Sequence, residues 1–213
     1  MNTLVSRTAG HASGTPTRLV VLLHGVGGNE DNLAALADRF GNDTCVVLPR
    51  APLTLAPGQY AWFPVTFGPD GPVIDADQAE RSRMLLVEFL EQQQQDHGIA
   101  PANTVIAGFS QGGILSASVG LTAPDRVAGF GVLAGRILPE IEPRLADAQA
   151  LSTVQGFVGH GIHDSKLAVA WAQRADAWLT QLGVPHETRF YPTGHDMPEA
   201  MQRDFLAWVS RVA

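Results

Sequence analysis

Asn103-Thr-Val-Ile-Ala-Gly-Phe-Ser-Gln-Gly-Gly-Ile-Leu-Ser-Ala-Ser-Val-Gly-Leu121 carries the signal that decides the fold. Its first residues form an apolar, β-branched run that reads as a buried strand, and the stretch from Gly112 to Leu121 reads as a helix leaving it. Between them, Gly108-Phe109-Ser110-Gln111-Gly112 matches the Gly-x-Ser-x-Gly pattern of a nucleophile elbow. A serine on so tight a strand-to-helix turn is forced into a strained backbone conformation. Neighbours without a β-carbon tolerate it, because the flanking chain passes close by. The hydroxyl is thereby lifted above the sheet. The helix that follows sets free N–H groups and its positive dipole end beside the same oxygen.

Outward from the elbow, short apolar runs alternate with helical patterns. Arg18-Leu-Val-Val-Leu-Leu23 and Thr44-Cys-Val-Val-Leu48 read as strands, as do Val127 to Leu133, Thr153 to Val158 and Glu187 to Tyr191. Leu33, Leu36, Ala37 and Phe40 fall at helical spacing. Asp75 to Gln95 reads as a helix with Leu86, Phe89 and Leu90 inward, closed by Gly98. Leu167, Trp171, Ala175, Trp178 and Leu182 mark another, and Met201, Phe205, Trp208, Val209 and Val212 line one side of the last. Such alternation calls for parallel strands covered on both faces by crossover helices. The expected architecture is an α/β three-layer sandwich with a mostly parallel central sheet. Residues 1–16 are expected to be loosely ordered, residues 50–74 an ordered loop with aromatic anchors over the active site, and residues 138–151 at most a short helix.

The chain-wide balance narrows the classes. At 213 residues the length suits a single domain spanning residues 1–213. Hydrophobic residues at 45% and charged residues at 16% describe a packed globular protein. A formal net charge of -7, with Lys and Arg scattered, leaves no footprint for nucleic acid or an anionic membrane surface. No stretch is long and apolar enough to insert in a bilayer, and the first residues lack the apolar core of a signal peptide, so a cytoplasmic location is the default expectation. Apolar residues on the last helix would support a homodimer if they were exposed. The lone cysteine, Cys45, lies in a strand pattern and is expected to be buried.

A serine hydroxyl needs a base, and the base an orienting carboxylate. Of seven histidines, His11, His97 and His186 read as surface residues, and His24 as a brace for the turn after the first strand. His195, in Thr193-Gly-His-Asp-Met197, follows the last strand on the carboxyl edge that also holds Ser110, where loops remote in sequence share one rim. Asp164 follows the strand between elbow and base, giving the chain order Ser, Asp, His. Asp196 is too close in sequence to His195 for a good contact, and Asp125 suits a turn. Histidines 24, 160, 163 and 195 lack metal-ligand spacing, so no metal is expected. The glycines of His24-Gly-Val-Gly-Gly28 make no dinucleotide fingerprint, and no cofactor is expected. They do allow a turn that aims a backbone N–H, that of Val26, at the point reached by the N–H of Gln111.

At these residues the chain resembles the phospholipase/carboxylesterase group of α/β-hydrolases, which includes the acyl-protein thioesterases. Leu22-Leu-His-Gly25, Gly108-Phe-Ser-Gln-Gly-Gly113, Trp62-Phe63, His160-Gly-Ile-His-Asp164 and Gly194-His195 carry the likeness, which spans roughly Leu19 to Val209. The resemblance implies Ser110 as nucleophile, Asp164 and His195 as its partners, and Val26 and Gln111 as oxyanion-hole amides. Two departures bear on the substrate: Ser165-Lys-Leu-Ala168 stands where the family commonly has Pro-x-Val-Pro, and Pro64 stands where an Asp is frequent.

The expected activity is serine carboxylesterase chemistry on small-molecule esters, or thioesters, through an acyl-enzyme. Leu53, Leu55, Trp62, Phe63 and Phe67 are candidates to flank the acyl group; equally, these side chains could pin the loop to the core. Two alternatives stay open: an acyltransferase using the same triad, and a non-catalytic binding protein on a hydrolase scaffold.

Overall fold

A computed structural model describes residues 4–9, 15–68 and 71–213, with the backbone alone at 67, 68 and 71. In chain order the strands are β1 (Ser6–Ala9), β2 (Arg18–Leu23), β3 (Thr44–Pro49), β4 (Leu53–Ala56), β5 (Gln59–Ala61), β6 (Val65–Gly68), β7 (Gly71–Ile74), β8 (Thr104–Phe109), β9 (Gly129–Leu133), β10 (Gln155–Gly161) and β11 (His186–Tyr191). The α-helices are α1 (Ala34–Ala37), α2 (Ala76–His97), α3 (Gln111–Thr122), α4 (Ala148–Leu151), α5 (Ala170–Gln181) and α6 (Glu199–Val212). Seven of the described strands form one sheet in the order β1-β3-β2-β8-β9-β10-β11. All its pairs are parallel except β1 with β3.

The uniformly apolar strands have the cause that parallel packing supplies: both faces are covered. On β2, Leu19, Val21 and Leu23 join the core beneath α2, α3 and α5, while Val20 and Leu22 join the core beneath α1 and α6. Helix α3 is buried from Gln111 to Leu121, which is why its sequence has no polar face. Asp75 starts α2 by accepting the Gln78 N–H, and Gly98, at φ 64°, ends it. Met201, Phe205, Trp208 and Val209 of α6 are buried against the chain's own sheet, so they present no outward face for a homodimer. Cys45 is buried on β3, as its pattern suggests.

Several expectations need correction. Part of the segment read as loose, Ser6–Ala9, is an edge strand paired to β3 from Ser6↔Pro49 to Ala9↔Val46. The stretch 50–74 is not a single loop but two small hairpins, β4–β5 and β6–β7. In α5 the inward residues are Ala172, Ala175 and Leu179; Trp171 and Trp178 are only partly covered, and Leu167 lies before the helix. Residues 138–151 hold a 3₁₀ turn at Pro139–Arg144 and the short α4. The order in which the chain adds strands to the sheet reverses between β2 and β8, which run parallel, so a crevice opens outside their carboxyl ends, between the His24–Gly28 turn and the elbow.

Candidate active site

Ser110 occupies the turn between β8 and α3 at φ 53°, ψ −114°, a region that side chains with a β-carbon rarely adopt. Two glycines let the strand and helix close on one another there. A methyl group at Gly108 would come within 2.5 Å of the Gly112 carbonyl carbon, and one at Gly112 would run into the Leu23 carbonyl. The Ser110 N–H donates to the Leu133 carbonyl at 2.8 Å, locking the turn onto β9.

The structure brings Ser110, His195 and Asp164 together. His195 Nε2 lies 3.0 Å from Ser110 Oγ, and His195 Nδ1 lies 2.7 Å from Asp164 Oδ2. The imidazole packs against the Phe109 ring at a centroid distance of 4.9 Å. Asp164 divides its oxygens between two tasks: Oδ1 accepts the Lys166 and Leu167 N–H groups, each at 2.8 Å, while Oδ2 faces the imidazole. It does not cap α5, whose first turn is preceded by Val169. Behind the carboxylate lies His160, fully buried, donating from Nε2 to the Leu167 carbonyl at 2.8 Å and passing 3.4 Å from Asp164 Oδ2. Asp196 is turned to its own chain, accepting the Met197 N–H. Asp125 pairs with Arg126 in a surface turn.

Val26 and Gln111 both line the cavity that opens onto Ser110. Among the described residues, neither backbone N–H meets a protein acceptor, as suits the first turn of a helix and an open loop. The loop bearing Val26 is braced by His24. Its Nδ1–H donates to the Gly25 carbonyl at 2.7 Å, its Nε2 accepts the Ala51 N–H at 3.1 Å, and its ring packs on Trp62.

The cavity measures about 230 Å³. Of the described side chains expected to flank the acyl group, only Phe63 lines it. Trp62 is fully buried and donates its Nε1–H to the His24 carbonyl, so it anchors the wall from behind. Leu53 and Leu55 sit on β4 away from the cavity, with Leu55 exposed. The side chain of Phe67 lies outside the described residues. Val65, Pro72 and Ile74 of the β6–β7 hairpin take over much of the apolar lining, with Ile114 and Leu167. Alternation along a strand could have found the first three. Arg136 and Lys166 also face the cavity. Arg136 follows β9 at its carboxyl end, a position on the same rim that the sequence marks only by strand order.

Known proteins resemble this chain in both sequence and fold. The sequence profile described as Phospholipase/Carboxylesterase matches residues 10–212. The chain belongs to the phospholipase/carboxylesterase family. It is accordingly a hydrolase of the esterase and thioesterase class with the α/β-hydrolase fold. Among its family relatives, acyl-protein thioesterase 1 of Kluyveromyces lactis is 29% identical over 175 residues, covering 75% of each chain. The crystal structure of esterase PE8 superposes with a TM-score of 0.85 at 26% identity, over 99% of this chain and 100% of that one. The Bacillus cereus carboxylesterase superposes equally well, at 0.85, over 100% of this chain and 96% of that one; at 20% identity it speaks for the fold alone. Among the described residues no helix is long and apolar enough to cross a membrane, and no cluster of His, Cys, Asp or Glu is arranged to hold a metal.

Proposed function

We propose that the chain is a serine carboxylesterase that cleaves small esters, and thioesters of similar size, through an acyl-enzyme. The observation that carries this reading is the unbroken line from Ser110 Oγ to His195 at 3.0 Å and from His195 to Asp164 at 2.7 Å, opening on an apolar cavity. Because Nδ1 donates to the carboxylate, Nε2 presents its lone pair to the hydroxyl and serves as general base. Ser110 Oγ attacks the acyl carbonyl while its proton passes to Nε2. The charge on the carbonyl oxygen is met by the N–H groups of Val26 and Gln111, already free and therefore needing no reorganisation. His195 then protonates the departing alcohol or thiol. A water molecule, deprotonated by the same nitrogen, releases the acid and restores Ser110.

The test is Ser110→Ala measured with p-nitrophenyl esters of increasing acyl length and with a fluorophosphonate probe. Wild type should turn over the short members and take the label at Ser110, and the variant should do neither. Turnover surviving in Ser110→Ala would sink the mechanism. A cavity of about 230 Å³ also predicts that activity declines once the acyl chain outgrows it.

A further inference from the structure

Arg136 is 5% exposed, yet it lines the same cavity as Ser110 and His195. A guanidinium buried to this extent is ordinarily paired with a carboxylate, since desolvating an unpaired charge is expensive. Here its Nε has no hydrogen-bond partner among the described residues. Its nearest acidic influence, Glu140, lies on the exposed side of the 3₁₀ turn and acts only through space, while burial pushes the guanidinium's pKa down. What holds the side chain in place is the face of Trp171, 4.6 Å from Arg136 Cζ, with Arg174 also over that ring at 4.8 Å. An aromatic face steadies a cation but accepts none of its in-plane N–H groups. The chain has 21 acidic and 14 basic residues, so the missing partner does not reflect a shortage of carboxylates. A second cation, Lys166, lines the cavity, and the remaining wall around Phe63, Ile74 and Leu167 is apolar.

We propose that the cavity selects esters or thioesters bearing a carboxylate elsewhere in the molecule, and that Arg136 receives this group on its unpaired N–H edge. The inference rests on the hydrolase reading of Ser110 and adds a substrate class to it. A planar guanidinium fork matches a carboxylate with two parallel hydrogen bonds. Arg136 is the buried positive charge and Lys166 is exposed, so the inner wall balances a monoanion, whereas a phosphate monoester would bring a second negative charge against it. The substrates implied are half-esters of short dicarboxylic acids, or esters of hydroxy acids. In both, the apolar walls hold the carbon chain while Arg136 fixes its far end, and the reacting carbonyl falls at Ser110.

Two matched pairs of substrates test the idea on either side of the ester bond. One is p-nitrophenyl hydrogen glutarate against its neutral methyl ester, with the carboxylate on the acyl side. The other is 4-acetoxybenzoate against methyl 4-acetoxybenzoate, with the carboxylate on the leaving side. In wild type, at least one pair should favour the anion by about 10-fold or more in kcat/KM, the scale of a charge-assisted hydrogen bond. Arg136→Met should collapse that ratio to one or below, and Arg136→Lys should keep part of it. Equal or neutral-favouring ratios in both pairs overturn the proposal, as does a preference that survives Arg136→Met. The wild-type ratio needs no variant, so a poorly folding Arg136→Met does not shelter the idea. Brisk turnover of the neutral esters with flat ratios would leave the hydrolase reading standing and remove only the anion site. Loss of all ester turnover would remove both.

Discussion

The side-chain amide of Gln111 donates to the Phe63 carbonyl at 2.7 Å, and its oxygen accepts the Trp62 N–H at 2.8 Å. One residue thus closes two buried backbone groups of the cavity wall, while its own N–H stays free beside Ser110. The Trp62 carbonyl is taken by Ser82 Oγ of α2, so the wall is fixed from both sides. Gln111→Ala would leave one buried N–H and one buried carbonyl unpaired. A loss of roughly 2–4 kcal/mol in urea unfolding is expected, together with reduced kcat/KM as the wall loosens. Gln111→Glu keeps the acceptor but turns a buried carboxylate oxygen onto the Phe63 carbonyl, and should lose at least as much stability as the alanine variant. A stability change under about 0.5 kcal/mol for the alanine variant would show that the clasp does not hold the wall.

The divided duty of Asp164 allows a cleaner separation of chemistry from structure. In Asp164→Asn, Oδ1 can still accept the Lys166 and Leu167 N–H groups, so the loop should keep its shape. The side-chain NH₂ would then face His195 Nδ1, which must accept. The ring hydrogen moves to Nε2, and the lone pair aimed at Ser110 is lost. We expect kcat to fall about 10⁴-fold, with unfolding shifted by less than about 1 kcal/mol. Comparable losses in stability and rate would mean that the carboxylate acts mainly as a loop staple.

Much of the fold could be read from the sequence wherever burial on both faces forced uniform apolar runs, as in β2, β3 and β8. The elbow was legible because Gly108 and Gly112 have a steric reason to be glycine and Ser110 a conformational one. His195 and Asp164 followed from strand order, since the carboxyl ends of parallel strands share a rim. Strand β1 was not legible: three of its four residues are exposed, so Ser6-Arg7-Thr8 carries no apolar signal. In the 50–74 stretch, aromatic residues outweighed the turn signals. Pro57-Gly58, with Gly58 at φ 75°, marks the β4–β5 hairpin, and the sequence Pro69-Asp70-Gly71 carries the same kind of turn signal. Without those turn signals the cavity wall is expected at Leu53 and Leu55, where the structure has Val65, Pro72 and Ile74. Arg136 has no local signature at all, because what distinguishes it is a missing partner.

The brace at His24 gives stability a pH dependence of known sign. Burial, with help from Arg50 and against the opposing pull of the Gly25 carbonyl and Glu30, lowers the imidazole's pKa below its ordinary value. The geometry agrees: Nε2 already accepts the Ala51 N–H, so a second ring proton would point at a donor. As pH falls below about 6.5, the unfolded chain takes up a proton that the folded chain resists. This contribution to stability is therefore whole above that value and declines beneath it. Urea midpoints measured from pH 7.5 down to 5 should drop more steeply in wild type than in His24→Asn. Parallel slopes would contradict it.

Backbone strain at Ser110 can be isolated by comparing two variants that both lack the hydroxyl. Ser110→Ala keeps a β-carbon at φ 53°, ψ −114°, and so keeps the strain; Ser110→Gly removes it. In an ordinary position glycine would be the less stable of the two by about 0.5–1 kcal/mol, because it loses more freedom on folding. Here the relief of a disfavoured conformation, about 1–3 kcal/mol, should outweigh that loss. Ser110→Gly should accordingly unfold at higher urea than Ser110→Ala, by roughly 1 kcal/mol, with both inactive. The reverse order would mean that the turn, held by the Ser110 N–H on the Leu133 carbonyl and by the close approach of Gly108 to Gly112, stores no strain at the serine itself.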